Sequence, residues 1–486
     1  MRYQAKRIFS LFLIFTLLFS TVPTNVLGKA YDPNTAHAKL DLRFWEDEQP
    51  DVGFYINAAA RYIIETVQEP SFGTIHGEWS IMNLLRGMYT GYDYITHIPE
   101  GYFEEYIDRV EEYVKGRNGN LDRNKSTEWS RAILALTALG YDITDVAGYD
   151  FIEKLSESHR FSYRQGINGP IWEIIAMNTG GYEFYPNPDN EDVNTFGKMI
   201  DYILEQEIEQ KDGTVGGWAL ASFLGGGPDP DITGMALQAL APYYKNKEKY
   251  DTTGAKTPYK EFEKAVERGV KVLADMQAEN GAFKAFGQVN TESTAQVIVA
   301  LTALGFDPLA STIKLGAIGE EVTFLTKCGE EDGVTTCNMI DALLSFWAEK
   351  SGRFPEVGGF KHVTYGNDGG SGSGYGVNAM ATDQGLYALI AYDRFRKGLP
   401  SLYDMTDMVK GEYKEMLEPK KHDVTFVTET NSFVIEKASY GVVDLPEAEE
   451  EVEGKEFIGW NSKEDGRGTF YRTGERLVVP EHDITL

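Results

Sequence analysis

The stretch NTESTAQVIVALTALGFDP, Asn290–Pro308, decides the fold. From Glu292 to Leu304 it is apolar nearly all the way round a helical repeat, and a carboxylate opens it. A helix without a polar face has to be covered on every side. A close copy, STEWSRAILALTALGYDIT, occupies Ser126–Thr144. Four more segments share the character: EWSIMNLLRGMYTG from Glu78, PIWEIIAMNTGG from Pro170, DITGMALQALAPYY from Asp231 and TDQGLYALIAYDRF from Thr382.

Between these run amphipathic segments. In YFEEYIDRVEEYVKG, Phe103, Ile107, Val110 and Val114 share one face, and the charged residues take the other. Others start at Phe54, Asp150, Phe196, Tyr259 and Asn338. The two kinds alternate, six of each, with a period of roughly 45 to 60 residues of the sort that marks repeat architectures. An open array would leave the inner helices wet on one side, whereas closure into a ring buries them against one another. The expected fold is therefore mostly α, an α6/α6 toroid over residues 50–397. Gly91, Gly140, Gly180 and Gly305 suit the C′ positions of inner helices, Pro170 an N1 position, and Pro242 the end of the Asp231 helix.

The rest of the chain divides differently. Residues 1–28 read as a signal peptide: Arg2, Lys6 and Arg7 precede an apolar run from Ile8 to Phe19, and Gly28 is a small residue suited to cleavage. That run falls short of the ~20 residues a membrane span needs, and no later segment qualifies, so no span is expected in the mature chain. Residues 398–421 read as a linker. Residues 422–486 alternate with turn residues between, as short strands do, and predict a small β-rich domain. Cys328 and Cys337, the two cysteines, are close enough for a local disulfide in an exported chain, with a free thiol pair as the alternative.

The 486 residues carry a formal net charge of −29. So acidic a chain disfavours nucleic acid or an anionic lipid surface as partner and suits an extracellular protein or one that binds cationic groups.

The stretches QAENGAF, STAQVIVALTALG, DPDITGMALQALAPYY and STEWSRAILALTALG resemble the prenyltransferase and squalene-cyclase repeat family, as found in exported bacterial proteins. The resemblance spans roughly residues 50–400 and implies the α/α toroid, a fold also used by vitamin B12 carriers such as transcobalamin. FIGWNSKEDGRGTFY and the final TL resemble the internalin B-repeat of bacterial surface proteins. Class II cyclases of the first family use an Asp-X-Asp-Asp motif whose central Asp protonates substrate. Here Asp229-Pro230-Asp231-Ile232 matches the central acid with Asp231 but replaces the last Asp by Ile232. Both cysteines lie in an insertion, so the zinc site of protein prenyltransferases is absent. The resemblance thus offers Asp231 and Asp229 as weak catalytic candidates, and a corrinoid-like carrier as a further alternative.

The residues themselves point to a rim. An acid begins each inner helix: Glu78, Glu128, Glu173, Asp231, Glu292 and Asp383. Acids in a first turn complement the helix dipole and can do no more than that. In a ring of parallel helices, however, they gather at one mouth. With Trp79, Trp129, Trp172 and Trp218 nearby, that mouth suits a cationic or amphipathic small molecule, or a cell-wall component. No cofactor motif occurs, since YGNDGGSGSGYG lacks the ending of a P-loop. His76 and His362 precede inner helices without a metal-binding motif, so no metal is assigned. The expectation is a secreted, non-catalytic binding or adhesion module at the bacterial cell surface, the alternatives being a cyclase-like enzyme and the carrier.

Overall fold

A computed structural model of the chain describes residues 52–486, apart from 74–76, 89–91, 158, 188, 191, 221–225, 286, 311, 325–328, 332–333, 337, 350–356, 365–375, 409–419 and 449–455. The signal segment 1–28, His76, Gly91, Cys328 and Cys337 lie outside the described residues, as does nearly all of the glycine-rich loop before Gly376.

Six helices correspond to the apolar segments: Glu78–Met88, Thr127–Ala138, Asn168–Thr179, Pro230–Leu240, Thr291–Ala303 and Ala379–Arg396. Each packs on the next in chain order, and the last packs on the first, so the succession is cyclic. Their flanks touch at matching ends. Ser80 Oγ donates to Asp383 Oδ1 (2.8 Å), Arg131 Nη1 lies 3.9 Å from Glu78 Oε2, and Asn178 Nδ2 donates to Tyr243 OH at the opposite ends (2.9 Å). The helices therefore run parallel.

The amphipathic helices back them. Val52–Thr66 packs on the first and last of the six, Phe196–Glu205 on Asn168–Thr179, Tyr259–Met276 on Pro230–Leu240, and Met339–Leu344 on Thr291–Ala303. In Tyr102–Gly116 only Tyr102, Phe103, Tyr106, Val110 and Val114 are buried, so two tyrosines join the expected stripe and Ile107 is only half-buried. Gly140 (φ 64°) and Gly305 (φ 79°) take the left-handed C′ conformation. Each lets the next residue's N–H reach back, Tyr141 to Leu136 O and Phe306 to Leu301 O, both at 2.9 Å. After the Asn168–Thr179 helix this conformation falls on Gly181 rather than Gly180, and Pro170 is its third residue rather than its first.

Residues 398–408 are not the expected linker. Leu402, Tyr403 and Met405 are buried in the helical core. Arg86 donates to the carbonyls of Ser401, Leu402 and Asp404 (2.8–3.0 Å), and Arg394 donates to Pro400 O (2.8 Å). Thr179 Oγ1 donates to Tyr403 O (2.7 Å), and Met405 N–H donates back to Thr179 O (2.9 Å). The segment thus crosses from the first and last helices to the third, spanning the ring at the C-terminal ends. The Tyr403 ring sits 6.1 Å from Trp172.

The C-terminal unit has its own apolar cluster around Val424, Phe426, Trp460, Tyr471 and Leu477. Lys421–Val427 pairs antiparallel with Ser432–Ala438 and parallel with Ile484–Thr485. It is docked rather than tethered. Tyr440 adopts φ 60° and lies against Tyr92 (5.0 Å), and its ring fills the space where a side chain at Gly53 would stand.

Asp407 holds the crossing segment by bridging the fully buried side chains of Arg86 (2.7 Å) and Arg394. Burial alone would raise the Asp407 pKa; the two guanidinium groups more than reverse this and hold it low. Removing one partner of a buried charge cluster strands the rest, at a cost of about 3 kcal/mol or more. Asp407→Asn should therefore lower the unfolding free energy by about 3 kcal/mol in urea titration, and a loss under ~1 kcal/mol would show that the segment does not hold the ring.

Candidate functional site

The acids sort into two groups. Glu78, Glu128, Asp231 and Glu292 lie in first turns. Glu173 and Asp383 do not, because their helices begin earlier, at Asn168 and Ala379. Three inner helices start with a side-chain cap of their own, so no capping is asked of the first-turn acids Asp231 and Glu292. Asn290 Oδ1 accepts from Ser293 N–H, Asp229 from Asp231 and Ile232 N–H, and Asn378 from Ala381 N–H.

Glu173 is fully buried. Its Oε2 accepts from Ser162 Oγ (2.8 Å) and Asn194 Nδ2 (3.3 Å), while its Oε1 has no partner. Burial pushes its pKa up to about 8, against the Ser126 and Ser162 hydroxyls. It is a neutral strut between helix and outer loops rather than part of a charged rim. Glu78 and Glu128 share Arg131, whose Nη2 donates to Glu128 Oε2 (2.6 Å). Glu78 also accepts from Gly73 N–H (2.7 Å), and burial raises its pKa despite Arg131. Asp383 is bound by Ser80.

The unbalanced charge sits on the opposite arc. Glu292 Oε2 is 2.6 Å from His362 Nδ1, while its Oε1 is buried without a partner. His362 is placed by the backbone, since Thr291 N–H donates to His362 O (3.0 Å). Asp231, on the neighbouring helix, has its Oδ1 buried without a partner. Burial, then Asp229, and further Glu292 push its pKa up to about 7, while Ser293 and His362 pull the other way. Asp229 is committed as the helix cap.

Below the acids lies a polar network that the sequence reading missed. Gln238 Nε2 donates to Gln296 Oε1 (2.8 Å). Gln296 Nε2 donates to Tyr387 OH (2.6 Å) and to Gln384 Oε1 (3.0 Å). Glutamines at i+7 from Asp231 and i+4 from Glu292, inside otherwise apolar helices, were the signal that could have revealed it. An aromatic cluster adjoins it. Trp79 meets Trp172 (5.1 Å) and Tyr387 (6.0 Å), and Tyr403 rises from the crossing segment. Trp79 is only partly buried.

The other two tryptophans stand elsewhere. Trp218 is fully buried and donates from Nε1 to Ile203 O (2.7 Å). Trp129 is fully buried against Phe161 (5.2 Å). Both are wall residues and present no surface at the mouth. No group of three or more His, Cys, Asp or Glu side chains among the described residues is arranged to hold a metal ion, and no described helix is long and apolar enough to cross a membrane.

No known family matches the sequence, and no curated protein does. Among solved structures, haptocorrin in complex with Cbi is similar with a TM-score of 0.39 and 11% identity, over 82% of this chain and 79% of that one. Unsaturated glucuronyl hydrolase from Bacillus sp. GL1, responsible for the degradation of glycosaminoglycan, is similar with a TM-score of 0.40 and 12% identity, over 74% of this chain and all of that one. The helix contacts of the chain itself, not these likenesses, carry the architecture.

Glu173 gives the site region a pH signature. Its pKa is raised from 4.5 to about 8 on folding, so its contribution is fully present below pH 4.5 and is lost as pH rises through 8. Glu173→Gln, which mimics the neutral acid, should match the native chain in urea midpoint at pH 4 and exceed it increasingly up to pH 9. Parallel midpoints across that range would show that Glu173 is ionised in the fold.

Proposed function

We propose that the helical body is an α6/α6 toroid of the prenyltransferase and squalene-cyclase repeat type. In this reading its N-terminal mouth binds a small cationic or amphipathic ligand without transforming it. The C-terminal unit is read as internalin B-repeat-like, and the whole as an exported bacterial protein acting at the cell surface. The supporting observation is the contrast between the ends. One end is crossed by residues 400–407, whereas the other gathers Asp231 and Glu292, with the partly exposed Trp79 in the first turn of its own helix. A mouth that brings carboxylates and aromatic rings together favours cations through charge and ring quadrupole together.

Benzyltrimethylammonium carries both features and tests the reading. Calorimetric titration into the purified chain should show binding that weakens at least tenfold in Glu292→Lys. Equal affinity in the variant would sink the mouth as the binding site.

The raised pKa of Asp231 favours a second reading, a cyclase-like enzyme in which this acid donates a proton. Incubation with polyprenyl substrates should then yield cyclised product that Asp231→Asn abolishes. Ile232, where that reading wants another acid, is buried among apolar residues.

A further inference from the structure

The walls below the mouth hold more hydrogen-bond acceptors than donors. Asp231 Oδ1, Glu292 Oε1 and Gln238 Oε1 are all buried without a partner, and none of the three can donate when the acids are ionised. Two unpartnered hydroxyls stand against these three acceptors: Ser293, which pulls the Asp231 pKa down, and Tyr403, which is 8% exposed. Tyr403 is near enough to Tyr387 to raise that phenol's pKa, after burial, together with Glu292 and Asp231, so these groups share one region. Leaving a buried acceptor unpaired costs about 1–3 kcal/mol. Several in one region call for donors from outside the chain.

The spacing narrows the donor. Asp231 and Gln238 are seven residues apart on one helix, so their levels differ by about 10 Å along its axis. Met235, half-buried, lies between them. Polar, apolar and polar levels thus follow one another down a single wall, and the partly exposed Trp79 lies against Tyr387, which joins that wall through Gln296 and Gln238.

Resting on the mouth being a ligand site, we propose that this wall takes a primary ammonium on an extended alkyl chain, as in a linear diamine or polyamine. The ammonium donates to Asp231 and Glu292, the methylenes pass Met235 and Trp79, and a second N–H reaches Gln238. Three donors on a compact charge match carboxylate oxygens that a quaternary ammonium cannot hydrogen-bond. The ammonium also replaces the proton that Asp231 otherwise holds near neutral pH.

The test is calorimetric titration of the full chain at pH 7 with spermidine and 1,8-diaminooctane, beside 1,8-octanediol and benzyltrimethylammonium. The amines should bind at least tenfold tighter than either comparison compound. Their apparent enthalpy should change between phosphate and imidazole buffers, reporting proton release, and Asp231→Asn should remove that buffer dependence. Met235→Lys, which builds an ammonium into the wall, should raise the melting temperature and abolish amine binding while keeping the helical circular dichroism. If benzyltrimethylammonium binds as tightly as the amines, the mouth stands as a site and the ammonium-donor proposal falls. If none of the four compounds binds, both fall. Amine binding with no buffer dependence, or left intact in Met235→Lys, overturns the placement at Asp231.

Discussion

Everything in the helical body follows from one constraint: the inner helices have no face that water can keep. In Thr291–Ala303 all residues but the last are buried, including Glu292, Ser293, Thr294 and Gln296. Such a helix is stable only when enclosed, and six of them enclose one another by packing in a cycle with amphipathic helices outside. Once the helices are parallel, the two ends of the ring differ by necessity. One end collects unsatisfied carbonyls and the other unsatisfied N–H groups. The carbonyl end is met partly by the left-handed glycines and partly by a turn-rich segment held by Arg86 and Arg394, cations suited to a helix C-terminus. The N–H end is met at three helices by Asn290, Asp229 and Asn378. Capping is thus done by flanking residues, and the first-turn acids Asp231 and Glu292 keep oxygens that the fold does not use.

The sequence carried the helices well, because an apolar run repeated every few tens of residues survives any detail of packing. It carried the site less well. The acid at each inner helix was visible, but its depth depends on where the helix starts, and Asn168 and Ala379 start theirs a turn early. That buries Glu173 and Asp383 among Ser162, Asn194 and Ser80. The crossing segment was invisible because Leu402, Tyr403 and Met405 follow no period of 2 or 3.6; they are held by backbone carbonyls that any residue supplies. The network of Gln238, Gln296, Gln384 and Tyr387 joins residues far apart in the chain, and only the cyclic packing brings them together. The tryptophans divide for the same reason. Trp79 and Trp172 meet across the ring, whereas Trp129 fills its wall, a distinction of phase around a helix that an all-apolar pattern cannot display; Trp218 lies outside the helices and packs into the wall from a loop.

The electrostatics of the mouth then reduce to an unequal division. The positive end of each helix dipole, equivalent to about half a charge, already favours an acid in its first turn. On one arc Arg131 lies between Glu78 and Glu128, so most of that charge is met within the protein. On the other, His362 faces Glu292, and Asp231 is left beside Asp229. Its pKa near 7 means that the fold supplies neither enough positive charge to ionise it fully nor enough isolation to keep it neutral. The asymmetry between the arcs, rather than the number of acids around the opening, decides where charge is left unmet at the N-terminal ends.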